Sequence, residues 1–112
     1  MIKAYLAGPL TGTTREQQER NVWIALDAQA KLEDAGFAVY CPHLRHYLDL
    51  RHPRTYEHHM RQDEVWIAQC DVFVRMPGPS NGTDREEAYA LNLGLAVYTV
   101  EEAIRDLGRT AA

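Results

Sequence analysis

The chain has 112 residues, of which 46% are hydrophobic and 25% are charged, and its formal net charge is −4. These proportions are ordinary for one soluble globular domain, and a chain of this size buries enough apolar surface to fold without cross-links. The acidic balance argues against a nucleic-acid partner, because phosphate backbones favour a basic face. No apolar run approaches the ~20 residues that cross a bilayer, so we expect no membrane partner.

The cysteines and the amino terminus bear on the compartment. Cys41 and Cys70 each lie beside an apolar run and lack the spacing of a metal-ligand pair. We therefore expect two free, buried thiols in a reducing compartment. The chain enters a strand directly, without the charged and apolar regions of a signal peptide. Together these features predict a cytoplasmic protein.

The first part of the chain alternates between strand and helix. Residues 2–7 (IKAYLA) predict a strand, and the Gly- and Pro-containing residues 8–13 (GPLTGT) predict a loop. Thr13 and Glu16 have the spacing of a capping box, which predicts the start of a helix. Apolar residues recur at helical spacing until Gly36, which is typical of a C-terminal cap.

The middle of the chain is less regular. Residues 37–41 (FAVYC) predict a second strand, and residues 42–54 predict an ordered His- and Arg-rich loop with at most one short helical turn. A helix is expected over residues 55–69, followed by a third strand at residues 71–75 (DVFVR).

The last part repeats the alternation. Residues 76–82 (MPGPSNG) predict a loop, residues 83–93 a helix, and residues 95–100 (LAVYTV) a fourth strand. Thr99 predicts the cap of a final helix that ends near Leu107, because Glu102 follows it at capping-box spacing. We expect one domain over residues 1–108 and a frayed tail at residues 109–112.

Strict strand–helix alternation predicts an α/β fold. We expect a Rossmann-like, flavodoxin-like three-layer sandwich, with four parallel strands in the order 2-1-3-4 and helices on both faces. In that order the chain reverses direction between strands 1 and 3, where open α/β sheets bind ligands. The loops there, residues 8–13 and 76–82, are also the richest in glycine. Each leads into a helix N-terminus, so we expect an anion near Gly12 or Gly82, unless the glycines only form turns.

Two carboxylates stand out by position. Asp63 shares a predicted helix face with the apolar Tyr56, Met60 and Ile67, where an ionised group needs a partner. The alternative is that Asp63 lies at the edge of this face and pairs with His59.

Glu86 follows the third strand in the first turn of its predicted helix. There it could face the crevice as an ionised nucleophile, because a helix N-terminus favours negative charge. The alternative is that Glu86 only completes a capping box that begins at Thr83. Two carboxyl groups in one crevice are what cleavage of a sugar C1 bond requires.

The five histidines lie between residues 43 and 59. His43 and His46 are three residues apart, but no neighbouring Cys or Glu completes a metal-ligand pattern, so no metal is expected. His43 follows the second strand at the same sheet edge as the two loops, so it is the best candidate among them for a ligand contact.

Three segments resemble the nucleoside 2-deoxyribosyltransferase superfamily. Residues 5–12 (YLAGPLTG) are similar to its opening strand and loop, and residues 80–90 (SNGTDREEAYA) to its Ser/Asp, Gly, spacer and nucleophilic Glu. Residues 60–74 are similar to its Asp-bearing helix and the following strand. The resemblance covers nearly the whole chain and is closest to short phage and bacterial members. Residues 77–86 are also similar to the PGGxGTxxE motif of cytokinin-activating phosphoribohydrolases, with one extra residue.

This resemblance implies roles for three residues in catalysis. Glu86 would be the nucleophile, Asp63 the acid or orienting partner, and Tyr5 would hold the glutamate or contact the sugar. The implied activity is cleavage of the N-glycosidic bond of a nucleoside or nucleoside 5′-monophosphate, by hydrolysis or transfer. It needs no cofactor, and its relatives imply a homo-oligomer.

The resemblance also implies a substrate-binding set. Gly8, Leu10 and Gly12 would line the sugar and base pocket, and Ser80 and Gly82 would bind a 5′-phosphate. The transferases carry Asp where this chain has Ser80, which favours a nucleoside monophosphate.

Thr11 belongs to the same loop but stands where some nucleotide hydrolases have Arg, so phosphate affinity and base preference stay open. Two other classes remain alternatives to an enzyme: a non-catalytic nucleotide-binding or sensing domain, and a structural accessory subunit.

Overall fold

The computed structural model describes residues 1–12 and 14–109. Strands and helices alternate along this part of the chain as the sequence predicts. The elements, in chain order, are β1 (Lys3–Ala7), α1 (Arg15–Asp34), β2 (Ala38–Tyr40), a 3₁₀ turn (Pro42–Leu44), α2 (Arg45–Arg51), α3 (Tyr56–Gln69), β3 (Val72–Arg75), α4 (Asn81–Asn92), β4 (Ala96–Thr99) and α5 (Val100–Leu107).

The four strands form one sheet in the order β2-β1-β3-β4, and every neighbouring pair is parallel. Ala4 and Leu6 of β1 pack on one face of the sheet with Leu32 of α1 and Ala103 of α5. The alternate β1 residues face the other side, where Ile67 of α3 and Ala90 of α4 cover the sheet. The predicted three-layer α/β sandwich and its strand order are therefore confirmed.

The start of α1 differs from the expected one. The cap is Thr14, whose hydroxyl accepts a hydrogen bond from the Gln17 backbone N–H at 3.1 Å, and the helix begins at Arg15. The predicted cap, Thr13, lies outside the described residues. Two adjacent threonines offer the same capping chemistry, so spacing alone could not choose between them.

The start of α4 also differs, and this difference matters for the site. The helix begins at Asn81, because Ser80 has an extended backbone and its hydroxyl accepts from the Thr83 backbone N–H at 3.2 Å. The expected start at Thr83 is therefore wrong by two residues. The capping box proposed for Thr83 and Glu86 is wrong as well, since Thr83 lies inside the helix.

The stretch expected to be an irregular loop contains a real helix. A 3₁₀ turn begins at Pro42 and leads directly into the seven-residue α2. Proline suits the first position of a helical turn because its missing N–H would have no partner there. His43 and His46 face inward and are buried, so the apolar side of this segment is made of imidazoles that a hydropathy pattern does not count.

The final elements agree with the sequence. Thr99 and Glu102 form the predicted capping box at the start of α5. The Arg109 backbone N–H, assigned to the frayed tail, donates to Ala35 O at 2.7 Å, and the rest of that tail lies outside the described residues. Among the helices described, none combines the length and the apolar character that crossing a bilayer demands.

Candidate active site

The two glycine-rich loops meet at the carboxyl edge of the sheet, as the strand order predicts. The Met76 backbone N–H donates to Ala7 O at 2.8 Å and so continues the pairing of β1 and β3 into the loops. Gly78 has φ +116°, and a Cβ added to it would lie 2.9 Å from Pro9 Cγ. The loops therefore touch, and glycine is needed at this contact for both conformation and space.

The loop after β1 is held mainly by the protein itself. A Cβ at Gly8 would lie 2.8 Å from Met76 Cβ, and one at Gly12 would lie 2.7 Å from Gln17 Cβ. Leu10 O accepts from Asn21 Nδ2 at 3.0 Å. Close packing thus accounts for both glycines, and their contact with a substrate stays a prediction, as does that of Leu10. Thr11 is exposed at the tip.

His43 lies beneath this loop. One ring nitrogen, Nε2, is 3.0 Å from Pro9 O, and Nδ1 is 3.4 Å from Cys41 Sγ. Since a carbonyl oxygen only accepts, Nε2 carries the proton and Nδ1 is free to accept from the thiol. Burial lowers the pKa of His43, which favours this neutral form. His43 therefore stabilises the loop that follows β1, and both of its ring nitrogens already have hydrogen-bond partners within the protein.

The structure brings together the three residues assigned to catalysis. Tyr5, at the centre of β1, is fully buried on the α3–α4 face of the sheet, and its hydroxyl donates to Glu86 Oε2 of α4. Asp63 of α3 is 7% exposed and Glu86 is 6% exposed. Their carboxyl groups are close enough to share a proton. We call these three residues the acid cluster.

Helix α3 presents Asp63 inward, as its apolar spacing predicts. Met60, Asp63 and Ile67 are all buried, but Tyr56, the fourth expected member of this face, is 55% exposed. The first turn of a helix at the sheet edge extends past the core, so spacing overestimates how far the buried face reaches.

The alternative pairing of Asp63 with His59 is wrong. His59 Nε2 instead lies 2.8 Å from Asp49 Oδ1 of α2, a helix that the sequence did not predict. Asp63 Oδ1 is buried without a hydrogen-bond partner among the residues that the structure covers. A buried carboxylate oxygen needs a hydrogen-bond donor, and the neighbouring Glu86 carboxyl supplies one when it is protonated.

The acid cluster holds a proton at neutral pH. Burial raises the pKa of Glu86 to about 8, and the neighbouring Asp63 charge adds to this. Burial also raises the pKa of Asp63, but the hydrogen bond with Glu86 and the charge of Arg45 oppose that rise. Two adjacent carboxyls rarely ionise together, so Asp63 ionises first and Glu86 keeps the proton.

The expectation that a helix N-terminus keeps Glu86 ionised is therefore wrong for the free protein. Because α4 begins at Asn81, Glu86 lies in its second turn. The helix dipole acts mainly within the first turn, and burial beside Asp63 outweighs it.

Sequence reasoning missed an aromatic stack that encloses the cluster. The Tyr5 ring packs 5.6 Å from Phe73 and 5.8 Å from Tyr40, whose ring stacks at 4.8 Å on Trp66. Tyr5 and Tyr40 are partners in the β1–β2 register. Parallel partners point to the same face, so the predicted strand order, combined with a register, would have identified this pair.

The residues expected to bind a phosphate lie where α4 begins. Ser80 is partly buried and caps the helix, and its hydroxyl keeps a proton to donate. Gly82 is partly buried, and a Cβ there would make only an ordinary contact of 3.6 Å with the Tyr56 hydroxyl. Arg75, at the end of β3, pairs with Asp84 of α4 at 2.7 Å and donates to Gly78 O of the loop at 3.4 Å. Phosphate binding here stays a prediction.

Metal binding has no support in the part of the chain that the structure covers. Over residues 1–12 and 14–109, no three His, Cys, Asp or Glu side chains are grouped to hold an ion. Cys41 and Cys70 are free and partly buried.

Comparisons with solved structures show what the fold resembles. The 2-deoxyribosyltransferase of Bacillus psychrosaccharolyticus aligns with 23% identity and a TM-score of 0.60, over 87% of this chain and 70% of its own. The 2-deoxyribosyltransferase of Leishmania mexicana aligns with 20% identity and a TM-score of 0.63, over 88% of this chain and 63% of its own. The Clostridium botulinum CMP N-glycosidase BcmB aligns with 19% identity and a TM-score of 0.58, over 97% of this chain and 85% of its own.

At these identities the likeness concerns the fold, and the fold implied by the sequence resemblance is confirmed. This chain spans less than two thirds of the Leishmania protein. A search of curated proteins finds no match. Residues 2–99 match the family model described as a domain of unknown function, DUF4406, and the chain belongs to that family.

Proposed function

We propose that this protein cleaves the N-glycosidic bond of a nucleoside or nucleoside 5′-monophosphate, with Glu86 as nucleophile. The observation that carries the proposal is the acid cluster: two buried carboxyls sharing a proton, one of them held by a tyrosine hydroxyl. It lies beside the two loops at the topological switch point, where this class of fold binds ligands. The structural neighbours, two deoxyribosyltransferases and a CMP N-glycosidase, support the same chemistry.

In the first step, the proton shared by Glu86 and Asp63 is the one that the leaving base receives. Glu86 gives its proton to Asp63 as its oxygen forms a bond to C1′, and the bond from C1′ to the base nitrogen breaks. Asp63 then passes the proton to the departing base, so the base leaves neutral. The transition state is oxocarbenium-like, and the product is a glycosyl ester of Glu86.

The second step restores the enzyme. Water attacks C1′, the ester bond breaks, and the proton lost by water returns to Glu86. A second base in place of water would give transfer by the same route. The Tyr5 hydroxyl stabilises the glutamate while it carries negative charge, that is, after its proton has moved to Asp63 and before the ester forms, and again between cleavage of the ester and return of the proton.

Assignment of the substrate rests on the loop before α4. Ser80 can donate one hydrogen bond while it caps the helix, and the first N–H groups of α4 favour an anion. We therefore place a 5′-phosphate beside Ser80 and Gly82, with the sugar between them and the loop that follows β1.

The test is a base-release assay over nucleosides and nucleoside 5′-monophosphates, followed by chromatography. Glu86→Gln should lose about 10³-fold or more in rate, because it removes the nucleophile. Glu87→Gln is the matched control, since Glu87 is adjacent but forms an ion pair with Arg75 instead. Its rate should stay within a few-fold of the wild type.

Thermal shift separates catalysis from binding. Glu86→Gln should still gain melting temperature with the substrate found in the assay. A nucleotide that stabilises the protein but is never cleaved would contradict the enzyme and favour a sensing domain. No cleavage and no stabilisation by any nucleotide would favour a structural subunit.

A further inference from the structure

A directed chain of hydrogen bonds joins α2 to α3 beside the acid cluster. Arg45 Nε donates to His59 Nδ1 at 3.2 Å, and His59 Nε2 lies 2.8 Å from Asp49 Oδ1. A guanidinium can only donate, so Nδ1 accepts from Arg45 and Nε2 donates to Asp49. Asp49 is held in turn by the Arg54 backbone N–H at 2.8 Å. This series of hydrogen bonds therefore fixes the direction of the Arg45 side chain.

Arg45 is unusual among the arginines around the site. Arg75 and Arg85 form close ion pairs with carboxylates, at 2.7 and 2.6 Å. Arg45 is partly buried, and it has no carboxylate within 4.0 Å among the residues that the structure describes. Its charge is therefore available to act on groups at a slightly longer distance.

Asp63 of the acid cluster is such a group. His59 and Asp63 are four residues apart on α3 and share a face, so the guanidinium that is bonded to His59 lies on the same side of α3 as Asp63. The Arg45 charge also opposes the rise that burial causes in the pKa of Tyr40, whose ring packs on Tyr5. After burial and the Glu86 hydrogen bond, the Arg45 charge is the next strongest influence on the pKa of Asp63, and it lowers it.

We propose that Arg45, oriented by His59 and Asp49, is a positioning residue that keeps Asp63 ionised and leaves the shared proton on Glu86. Without the cation, the pKa of Asp63 would be higher, and Asp63 would compete more strongly with Glu86 for the shared proton. The ionisable groups that face Asp63 and Glu86 come from β1, from β2 and the residue that follows it, and from α2 and α3. They are Tyr5, Tyr40, Cys41, Arg45, His59 and Glu64.

The consequence for catalysis rests on the proposed function, whereas the location of the proton does not. A cation beside Asp63 makes it a weaker base and a stronger acid, so it would receive the proton only briefly and release it readily to the leaving base. Arg45 would thus bias the direction of proton transfer without contacting the substrate.

The test is carbon-13 NMR of the Asp63 and Glu86 carboxyl carbons in the free protein, titrated from about pH 4 to 10. At pH 6 the wild type should show an ionised Asp63 and a protonated Glu86. In Arg45→Met, the Asp63 carbon should move at least halfway towards its protonated position, and the Glu86 carbon should move the opposite way. Unchanged spectra in a folded Arg45→Met protein would overturn the proposal.

Three further variants make the result specific. Arg51→Met removes an exposed arginine from the end of the same helix and should leave both carbons unchanged. Arg45→Lys keeps the charge and should stay close to the wild type. His59→Phe keeps Arg45 but removes its acceptor, and an intermediate shift is expected. A shift in Arg51→Met equal to that in Arg45→Met, or no shift in His59→Phe, would contradict the proposal.

The experiments distinguish a failure of the Arg45 proposal from a failure of the proposed function. The NMR titration uses no substrate, so a protein that cleaves no nucleotide can still show the predicted shift. Conversely, an active enzyme whose Arg45→Met variant keeps both carboxyl signals in place would retain the proposed function and lose this inference.

Discussion

Glu86 is the residue whose chemistry depends most on its surroundings. Its carboxyl is buried between Tyr5 and Asp63, and its pKa rises from 4.5 to about 8. The folded protein therefore binds this proton more tightly than the unfolded chain does. A proton held in the folded state stabilises that state at low pH and is lost as the pH increases.

The free energy of unfolding should consequently depend on pH through Glu86. Its contribution is greatest below about pH 4.5 and decreases as the pH rises towards 8, because the buried carboxyl must then ionise. Urea unfolding between pH 5 and 8.5 measures this slope, which is limited to about 1.4 kcal/mol per pH unit for one proton. Glu86→Gln should remove most of the slope, and a slope equal to that of the wild type would contradict the assignment.

At the scale of the elements, the loops after β1 and β3 position the site by direct contact. Gly78 of the second loop packs against Pro9 of the first, and Met76 packs against Gly8. Because each contact places a glycine against a side chain of the other loop, the loops have little room for a larger residue at either glycine. The glycines that suggested a phosphate cradle in the sequence therefore also serve loop packing.

Gly78→Ala should destabilise the protein more than Gly94→Ala does. Both glycines have positive φ, 116° and 86°, so each substitution incurs a backbone cost of about 1 kcal/mol. Only at Gly78 would the new Cβ also meet a neighbour, Pro9 Cγ at 2.9 Å, whereas nothing lies within 4 Å at Gly94. Chemical unfolding of both variants compares them, and equal losses would show that the loop contact adds nothing.

At the scale of the whole molecule, both sheet faces carry helices with exposed apolar side chains. Trp23 on α1 is 61% exposed and Trp66 on α3 is 45% exposed. These helices cover opposite faces of the sheet. Exposed tryptophans are more typical of contact surfaces than of free ones, which is consistent with the homo-oligomer expected from the sequence.

Analytical ultracentrifugation should therefore find a species heavier than the 12.8 kDa chain. Trp23→Glu and Trp66→Glu, made separately, should differ in their effect, since a charge disrupts an apolar contact only where one exists. The variant that dissociates the assembly identifies the contacting face. Sedimentation of the wild type as a monomer at high concentration would show that the expectation is wrong.

Sequence alone determined the architecture because its signals are local and periodic. Alternating apolar strands and amphipathic helices led to the parallel sheet and its order, and these placed the loops after β1 and β3 together. The residues Tyr5, Asp63 and Glu86 were also identifiable, from a buried strand, an inward helix face and a motif resemblance. Among the elements, helix starts, such as Ser80 in place of Thr83 as the cap, and the helix α2 escaped the pattern.

The tertiary structure decided everything that depends on distant neighbours. Tyr5 and Glu86 are 81 residues apart, yet one donates to the other. His59 pairs with Asp49 because α2 folds against α3, which left Asp63 to share a proton with Glu86. Protonation follows from burial and from charges assembled by the fold, and neither quantity has a period along the chain.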